Sequence, residues 1–318
     1  MKVTEHIDNG NGKTQFSFEI LPPLKGQNIQ SIFDSIDPLM EFNPPFIDVT
    51  YHREEYVYKE MENGLLQKKI VKKRPGTVGI CAAIQNKYQV DAIPHILCGG
   101  FTKEDTENFL IDLDFLGIDN VMALRGDAVK TETYFTPEKE GHNYALGLVQ
   151  QITALNRGEY LDEEIQNQAQ TDFCIGVAGY PEKHIEAPNM DSDIHFLKKK
   201  LKHGASYIVT QMFFDNEKYF SFVKKCRDEG ITAPIIPGLK PISTKKQLNL
   251  IPQRFFTDLP EDLIKEVLKC SNNEEVREVG IAWCVQQSKE LITAGVPFVH
   301  YYSMGKSDNI RSIAKQLF

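Results

Sequence analysis

A short apolar run, Val121-Met122-Ala123-Leu124, ends abruptly in a guanidinium, a glycine and a carboxylate, Arg125-Gly126-Asp127. An apolar stretch of that length behind a helix suggests a parallel strand covered on both faces. Arg125 and Asp127 then stand at its carboxyl end, where α/β proteins keep their ligands. Taken alone, the pair reads equally well as an ion pair closing a strand–loop corner. Other strand-like runs carry a chemically capable group at the same end: Glu19, Thr50, His95, Tyr180, Gln211 and the pair Tyr301-Tyr302. One such group on nearly every strand, all at one mouth, points to a ligand site more than to packing.

Each group also has a bland reading. Glu19 lies between Phe18 and Ile20, ahead of Pro22-Pro23. A half-buried carboxyl in such a setting can act as a general acid near neutral pH; the rival is an ion pair across the mouth. Asp127 suits holding a cation or orienting a polar ring, or else capping a helix. His95 follows Pro94 at a strand start, where a satisfied core histidine is the alternative. Gln211, between Thr210 and Met212-Phe213-Phe214, must find hydrogen-bond partners inside a buried strand, and a substrate is the favoured one. The loop from Tyr180 to Asp193 is long for a βα connection, and long ordered loops at such a mouth usually bind something. The helix behind it carries Lys198-Lys199-Lys200 and Lys202, which face either phosphates or solvent. The basic run Lys68-Lys69 to Arg74 reads as surface.

The elements that must position these groups follow a regular grammar. Strands are expected at 14–21, 46–51, 93–98, 118–124, 173–178, 205–212, 233–239 and 296–302, and helices lie between them. Several helices end in glycine (Gly117, Gly204, Gly230, Gly295) with a strand directly behind, the signature of an α-to-β turn. Thr102 and Asp105 form a capping box at the start of one helix. Strands alternating with helices imply right-handed βαβ units. Eight such units in about 300 residues suit a closed (βα)8 TIM barrel, α/β in class, better than an open sheet. The reading is a single domain over 1–318, with an insertion before strand 3 and extra helices (252–272) before strand 8. Within that insertion, 54–69 is expected as a charged helix and 77–84 as a strand. Residues 1–13 are expected as a loose lead-in.

Composition narrows the class. The 318 residues are 41% hydrophobic, enough for a sizeable core. A net charge of −8 argues against nucleic acid or an anionic membrane as partner. There is no long apolar run, and the polar start is not a signal peptide. Six scattered cysteines with no C-x-x-C pair suggest reduced thiols, a cytoplasmic setting and no metal site. Neither G-x-G-x-x-G after a strand nor G-x-x-x-x-G-K-[ST] occurs, so a dinucleotide, if bound, is not held in the Rossmann manner.

Six separated motifs, in order, resemble those of the methylenetetrahydrofolate reductases. They are Phe18-Glu19-Ile20-Leu21-Pro22-Pro23, Asp48-Val49-Thr50-Tyr51, Pro94–Cys98, Ala123–Asp127, Gly179–His184 and Thr210–Asp215. The resemblance implies a (βα)8 barrel carrying FAD. It implies reduction of 5,10-methylenetetrahydrofolate to 5-methyltetrahydrofolate with NAD(P)H in two half-reactions, the nicotinamide leaving before the folate binds. It implies Glu19 as the general acid that protonates N10 and Asp127 as the carboxylate that stabilises the resulting iminium cation. Gln211, Gln247 and Lys306 match folate-contacting positions. Thr50, His95, Arg125, Gly126, Asp127, Tyr144, Ala145, Ala178, Tyr180, His184, Asp193 and Lys200 match positions that hold FAD. The chain departs from some members at Phe196, at Ile251 where a stacking aromatic is expected, and at Gly305-Lys306, where a point charge replaces a guanidinium fork. A chain ending at Phe318 is expected to lack the regulatory domain of eukaryotic members and to escape inhibition by S-adenosylmethionine. A homo-oligomer is expected. Two rivals are another FAD barrel, proline-dehydrogenase-like, and a flavin- or folate-binding protein without turnover.

Overall fold

The structure, a computed structural model, describes residues 1–129, 132–303, 305 and 307–318. Its main sheet contains β1 (Gln15–Ile20), β2 (Phe46–Val49), β5 (Asp91–Leu97), β6 (Asn120–Leu124), β7 (Cys174–Gly179), β8 (Ala205–Thr210), β9 (Ile235–Ile236), β10 (Gly238–Leu239) and β11 (Phe298–Tyr302). All pair in parallel, in the order β10-β11-β1-β2-β5-β6-β7-β8-β9. β9 and β10 flank Pro237 and are two halves of one barrel strand. Ile235 pairs with Ile208 on one side, and Gly238 pairs with His300 on the other. The sheet therefore closes as an eight-stranded barrel, with the missing proline N–H marking its seam.

The connecting helices are α2 (Gln30–Ile36, continued by a 3₁₀ turn, Asp37–Phe42), α3 (Thr77–Tyr88), α4 (Lys103–Phe115), α5 (Ala145–Asn156), α6 (Met190–Lys202) and α7 (Asn216–Asp228). Beyond the seventh strand come α8 (Gln247–Phe255), α9 (Glu261–Lys269) and α10 (Asn273–Thr293), and α11 (Asp308–Ala314) follows the eighth. The outward residues of the strands and the apolar stripes of the helices form one continuous core, including Phe16, Phe18, Ile47, Ile96, Val121, Val177, Ile208 and Val299.

The inward residues alternate with these, as the two-residue period of a strand requires. Their lower layer is apolar: Phe46, Ile93, Met122, Cys174, Tyr207, Ile236 and Phe298 pack together. A helix not expected from the sequence, α1 (Val3–Asn9), closes the amino-terminal end of the barrel. Its Val3 is fully buried against that layer, and the Val3 N–H donates to Asn120 Oδ1 at 2.8 Å.

Two readings of the insertion are corrected. Residues 54–69 are no helix. They belong to an antiparallel hairpin, β3 (Glu55–Glu60) and β4 (Leu66–Val71), lying between β2 and α3. Tyr56, Val57 and Tyr58 favour strand, and Gly64, at φ +76°, makes the turn. Residues 77–84 are not a strand but the first part of α3, whose buried Thr77, Ile80, Cys81 and Ile84 fall at helical spacing. The insertion is therefore a hairpin in the second βα loop, with no extra barrel strand.

Candidate active site at the barrel mouth

Because every barrel strand is parallel, Glu19 at the end of β1 and Asp127 just beyond β6 share one rim. The upper inward layer is polar and continues the alternation: Ser17 and Glu19 on β1, Asp48 and Thr50 on and after β2, His95 on β5, Lys240 after β10, His300 and Tyr302 on β11. Glu19 keeps 14% of its side chain exposed. Its Oε1 accepts from the Thr50 hydroxyl at 2.7 Å, and its Oε2 lies 3.6 Å from His95 Nε2. The Glu19 backbone is fixed as well, since its carbonyl accepts from Ser303 N–H at 3.2 Å and the Ser303 hydroxyl at 2.7 Å.

His95 faces a second carboxylate, Asp48 Oδ2, at 3.4 Å. Burial alone would push the imidazole toward its neutral form, but Glu19 and Asp48 outweigh it and raise its pKa. His300, lower in the barrel, is pushed down by burial; its Nδ1 pairs with Ser17 Oγ at 3.0 Å. Lys240 is pushed down to about 8 by burial, against the pull of Glu19. Sequence reasoning missed Asp48 as a site residue and Lys240 altogether. Counting in twos from Ile236 through Gly238 would have found the lysine.

A second group forms on the β6–β7 side. Arg125 does not pair with Asp127. Its guanidinium forks onto Glu186, Nη2 to Oε1 at 2.9 Å and Nη1 to Oε2 more closely, and it stacks 4.9 Å over the Phe135 ring. Gly126 turns the chain at φ +83°, leaving Asp127 exposed; Asp127 caps no helix among the described residues. Tyr180 meets His184 edge-on at 4.8 Å between ring centres. The His184 N–H donates to Asp193 Oδ2 at 2.7 Å, and Lys200 Nζ donates to the Ala178 carbonyl at 3.2 Å. Burial dominates the electrostatics here: it lowers His184, raises Asp193 and Tyr180, and pushes Lys200 down to about 8. Ala178, Tyr180, His184, Asp193 and Lys200 thus gather as one cluster beside Arg125. Tyr144 and Ala145 stand at the amino-terminal end of α5, with Tyr144 66% exposed.

The folate-facing expectations fare differently. Gln211 sits on the rim, its backbone N–H bonded to the Gly179 carbonyl at 2.8 Å and its Oε1 accepting from Met212 N–H at 3.0 Å. Gln247 Oε1 is occupied by the loop before α8, accepting from the N–H groups of Ser243 (2.7 Å) and Thr244 (3.0 Å) and the Ser243 hydroxyl (3.2 Å). Lys306 lies outside the described residues. Ile251 is buried among apolar side chains that include Met212, Phe214 and Leu263.

A closed parallel barrel with an acid, an imidazole and two depressed lysines at the carboxyl ends of its strands is the architecture of a barrel enzyme. A profile of the methylenetetrahydrofolate reductase family matches residues 2–318, and the chain belongs to that family. It is 31% identical over 321 residues to methylenetetrahydrofolate reductase 1 of Schizosaccharomyces pombe, covering 100% of this chain and 48% of that one. It is 28% identical over 320 residues to the 5,10-methylenetetrahydrofolate reductase of Salmonella typhimurium, covering 99% of this chain and 94% of that one. The chain spans about half the length of the curated eukaryotic relatives it matches. In three dimensions it superposes on an uncharacterised protein from Clostridium thermocellum that binds two copies of 5-methyl-5,6,7,8-tetrahydrofolic acid. The TM-score is 0.58 at 14% identity, over 99% of this chain and 98% of that one, which supports the fold. No described helix is long and apolar enough to cross a membrane.

Proposed function

We propose that this chain reduces 5,10-methylenetetrahydrofolate to 5-methyltetrahydrofolate with NAD(P)H, using FAD, in the cytoplasm and as a homo-oligomer. The observation that carries the reading is Glu19: a carboxyl on the inner rim, hydrogen-bonded to Thr50, facing His95, and sharing its opening with the Arg125–Lys200 cluster. Family membership supports the reaction, and the Salmonella relative's name supports the substrate.

The residues present fit a flavin dinucleotide. Arg125 Nε is buried with no partner among the described residues, and Lys200 sits in a site that disfavours its charge, as a position built to meet an anion would. Arg125, Gly126, Tyr180, His184, Asp193 and Lys200 would hold the group, together with Ala178, Thr50 and His95 and with Tyr144 and Ala145 at the α5 terminus. When bound, FAD supplies hydride transfer between nicotinamide and folate. The protein's own part is acid–base and electrostatic. Glu19 gives its carboxyl proton to N10 of the folate as the five-membered ring opens, and Asp127 faces the cation so formed. Gln211 orients the pterin. Lys306 and Gln247 are the further folate contacts by family position.

Glu19→Gln tests this. The amide keeps an acceptor for Thr50 but has no proton to give. Reduction of the bound flavin by NADH should stay within about twofold, while folate reduction falls on the order of 10²–10⁴-fold. Equal losses in both half-reactions would refute the acid role of Glu19. A purified protein that stays colourless when given FAD would refute the function.

A further inference from the structure

Below the mouth, a single imidazole nitrogen faces two carboxylates. His95 Nε2 stands 3.4 Å from Asp48 Oδ2 and 3.6 Å from Glu19 Oε2. The two acids are not equivalent. Glu19 reaches the opening, whereas the Asp48 side chain is only 2% exposed and its Oδ1 has no hydrogen-bond partner among the described residues. A carboxylate so enclosed is costly unless a cation stands against it. Among the described residues the titratable groups in reach are Glu19 on β1, His52 beyond β2, Cys81 on α3, Tyr207 on β8, His300 and Tyr302 on β11 and Lys240 beyond β10, and only His95 hydrogen-bonds to Asp48. His300 is held toward its neutral form, so the cation that Asp48 supports is the His95 imidazolium.

We propose that Asp48 is a positioning residue for the proton chemistry of Glu19, acting through His95. The inference rests on the reductase reading and deepens it. In each turnover Glu19 loses its O–H proton to N10, and the carboxylate left behind faces the imidazolium that Asp48 keeps charged. That cation stabilises the new carboxylate. The His95 N–H proton then passes to Glu19 Oε2, and a solvent proton restores the imidazolium, so one proton enters for each that departs in the product. Without the Asp48 charge, His95 is neutral over more of the pH range, and Glu19 is reprotonated more slowly. Of the flavin positions named above Asp48 touches only His95, and of the folate positions none, so its removal should slow proton supply more than it weakens cofactor binding.

The test uses the full-length flavoprotein and Asp48→Asn. The His95 ring is followed by NMR through pH, its resonance assigned by its loss in His95→Gln. In wild type it should hold its proton above the ordinary histidine value of 6.5, the direction its two carboxylates impose. In Asp48→Asn the midpoint should move down. In stopped flow, flavin reduction by NADH should stay within about twofold and FAD affinity likewise. Folate reduction should slow about tenfold or more near neutral pH, with its alkaline limb displaced to lower pH. An unmoved His95 midpoint together with an unmoved folate pH profile overturns the proposal, as does equal slowing of both half-reactions. If Asp48→Asn does not fold, the wild-type titration decides, since a His95 midpoint below 6.5 is incompatible with the arrangement. A wild-type protein that oxidises NADH but never reduces the folate instead sinks the reductase reading, and the role of the pair with it, whatever the His95 titration gives.

Discussion

Lys200 offers a direct test of whether the β7-side cluster exists to bind an anion. Its amine is pushed from the ordinary 10.5 down to about 8 by burial, even with Asp193 pulling it up. At about 1.4 kcal/mol per pH unit, that gap charges the folded apoprotein roughly 3 kcal/mol for keeping the lysine protonated at pH 7. The side chain retains some solvent contact, and its bond to Ala178 returns about 1 kcal/mol, so the net cost is nearer 2 kcal/mol. Lys200→Met should therefore make the flavin-free protein about 2 kcal/mol more stable at pH 7 in urea denaturation. The sign fixes the pH dependence. With the folded value below the unfolded one, the cost is whole below pH 8 and fades as pH climbs to 10.5, so the advantage of the methionine should shrink across that window. The same variant should bind FAD about 10- to 100-fold more weakly, because a charge-assisted hydrogen bond is lost. A less stable Lys200→Met apoprotein, or one binding FAD as wild type does, would refute the reasoning.

Two further expectations concern the elements around the mouth. Gly280 on α10 lies so close to the loop after β10 that an added Cβ would overlap the Ile242 carbonyl oxygen, so Gly280→Ala should cost about 2–3 kcal/mol or more in the unfolding free energy; a cost within 0.5 kcal/mol would show that the helix moves aside freely. Gln247→Ala removes an acceptor shared by two backbone N–H groups and a hydroxyl and should lower stability by about 1–2 kcal/mol. A raised folate KM with unchanged denaturation would instead mark Gln247 as a pure substrate contact.

The barrel was legible because its signal is repeated. Helix-ending glycines at Gly117, Gly204, Gly230 and Gly295, each with a strand close behind it, force a βα alternation that no local misreading undoes. The rim groups were legible for a related reason: a strand's period of two fixes which residues point inward once its boundaries are known. Where a boundary was wrong, the site residue was lost. Ending the seventh strand at Leu239 hid Lys240, although that residue continues the inward row past Pro237. The charged residues of 54–69 resemble a solvated helical face, and the local signal that outweighs them is the Asn63-Gly64 turn between β3 and β4. Partners across elements were beyond reach of the sequence. Nothing in Arg125-Gly126-Asp127 says that the arginine turns to Glu186, sixty-one residues on. Likewise no local pattern tells a free Asp48 from one locked beneath His95.

All six cysteines, Cys81, Cys98, Cys174, Cys226, Cys270 and Cys284, are buried and unpaired. They are spread over β7, α3, α7, α10 and the ends of β5 and α9, so a thiol reagent meets them only when those parts come apart. Labelling kinetics, read position by position in a mass spectrometer, would time the loosening of each sector separately. The protein carries its own set of clocks, distributed around the ring.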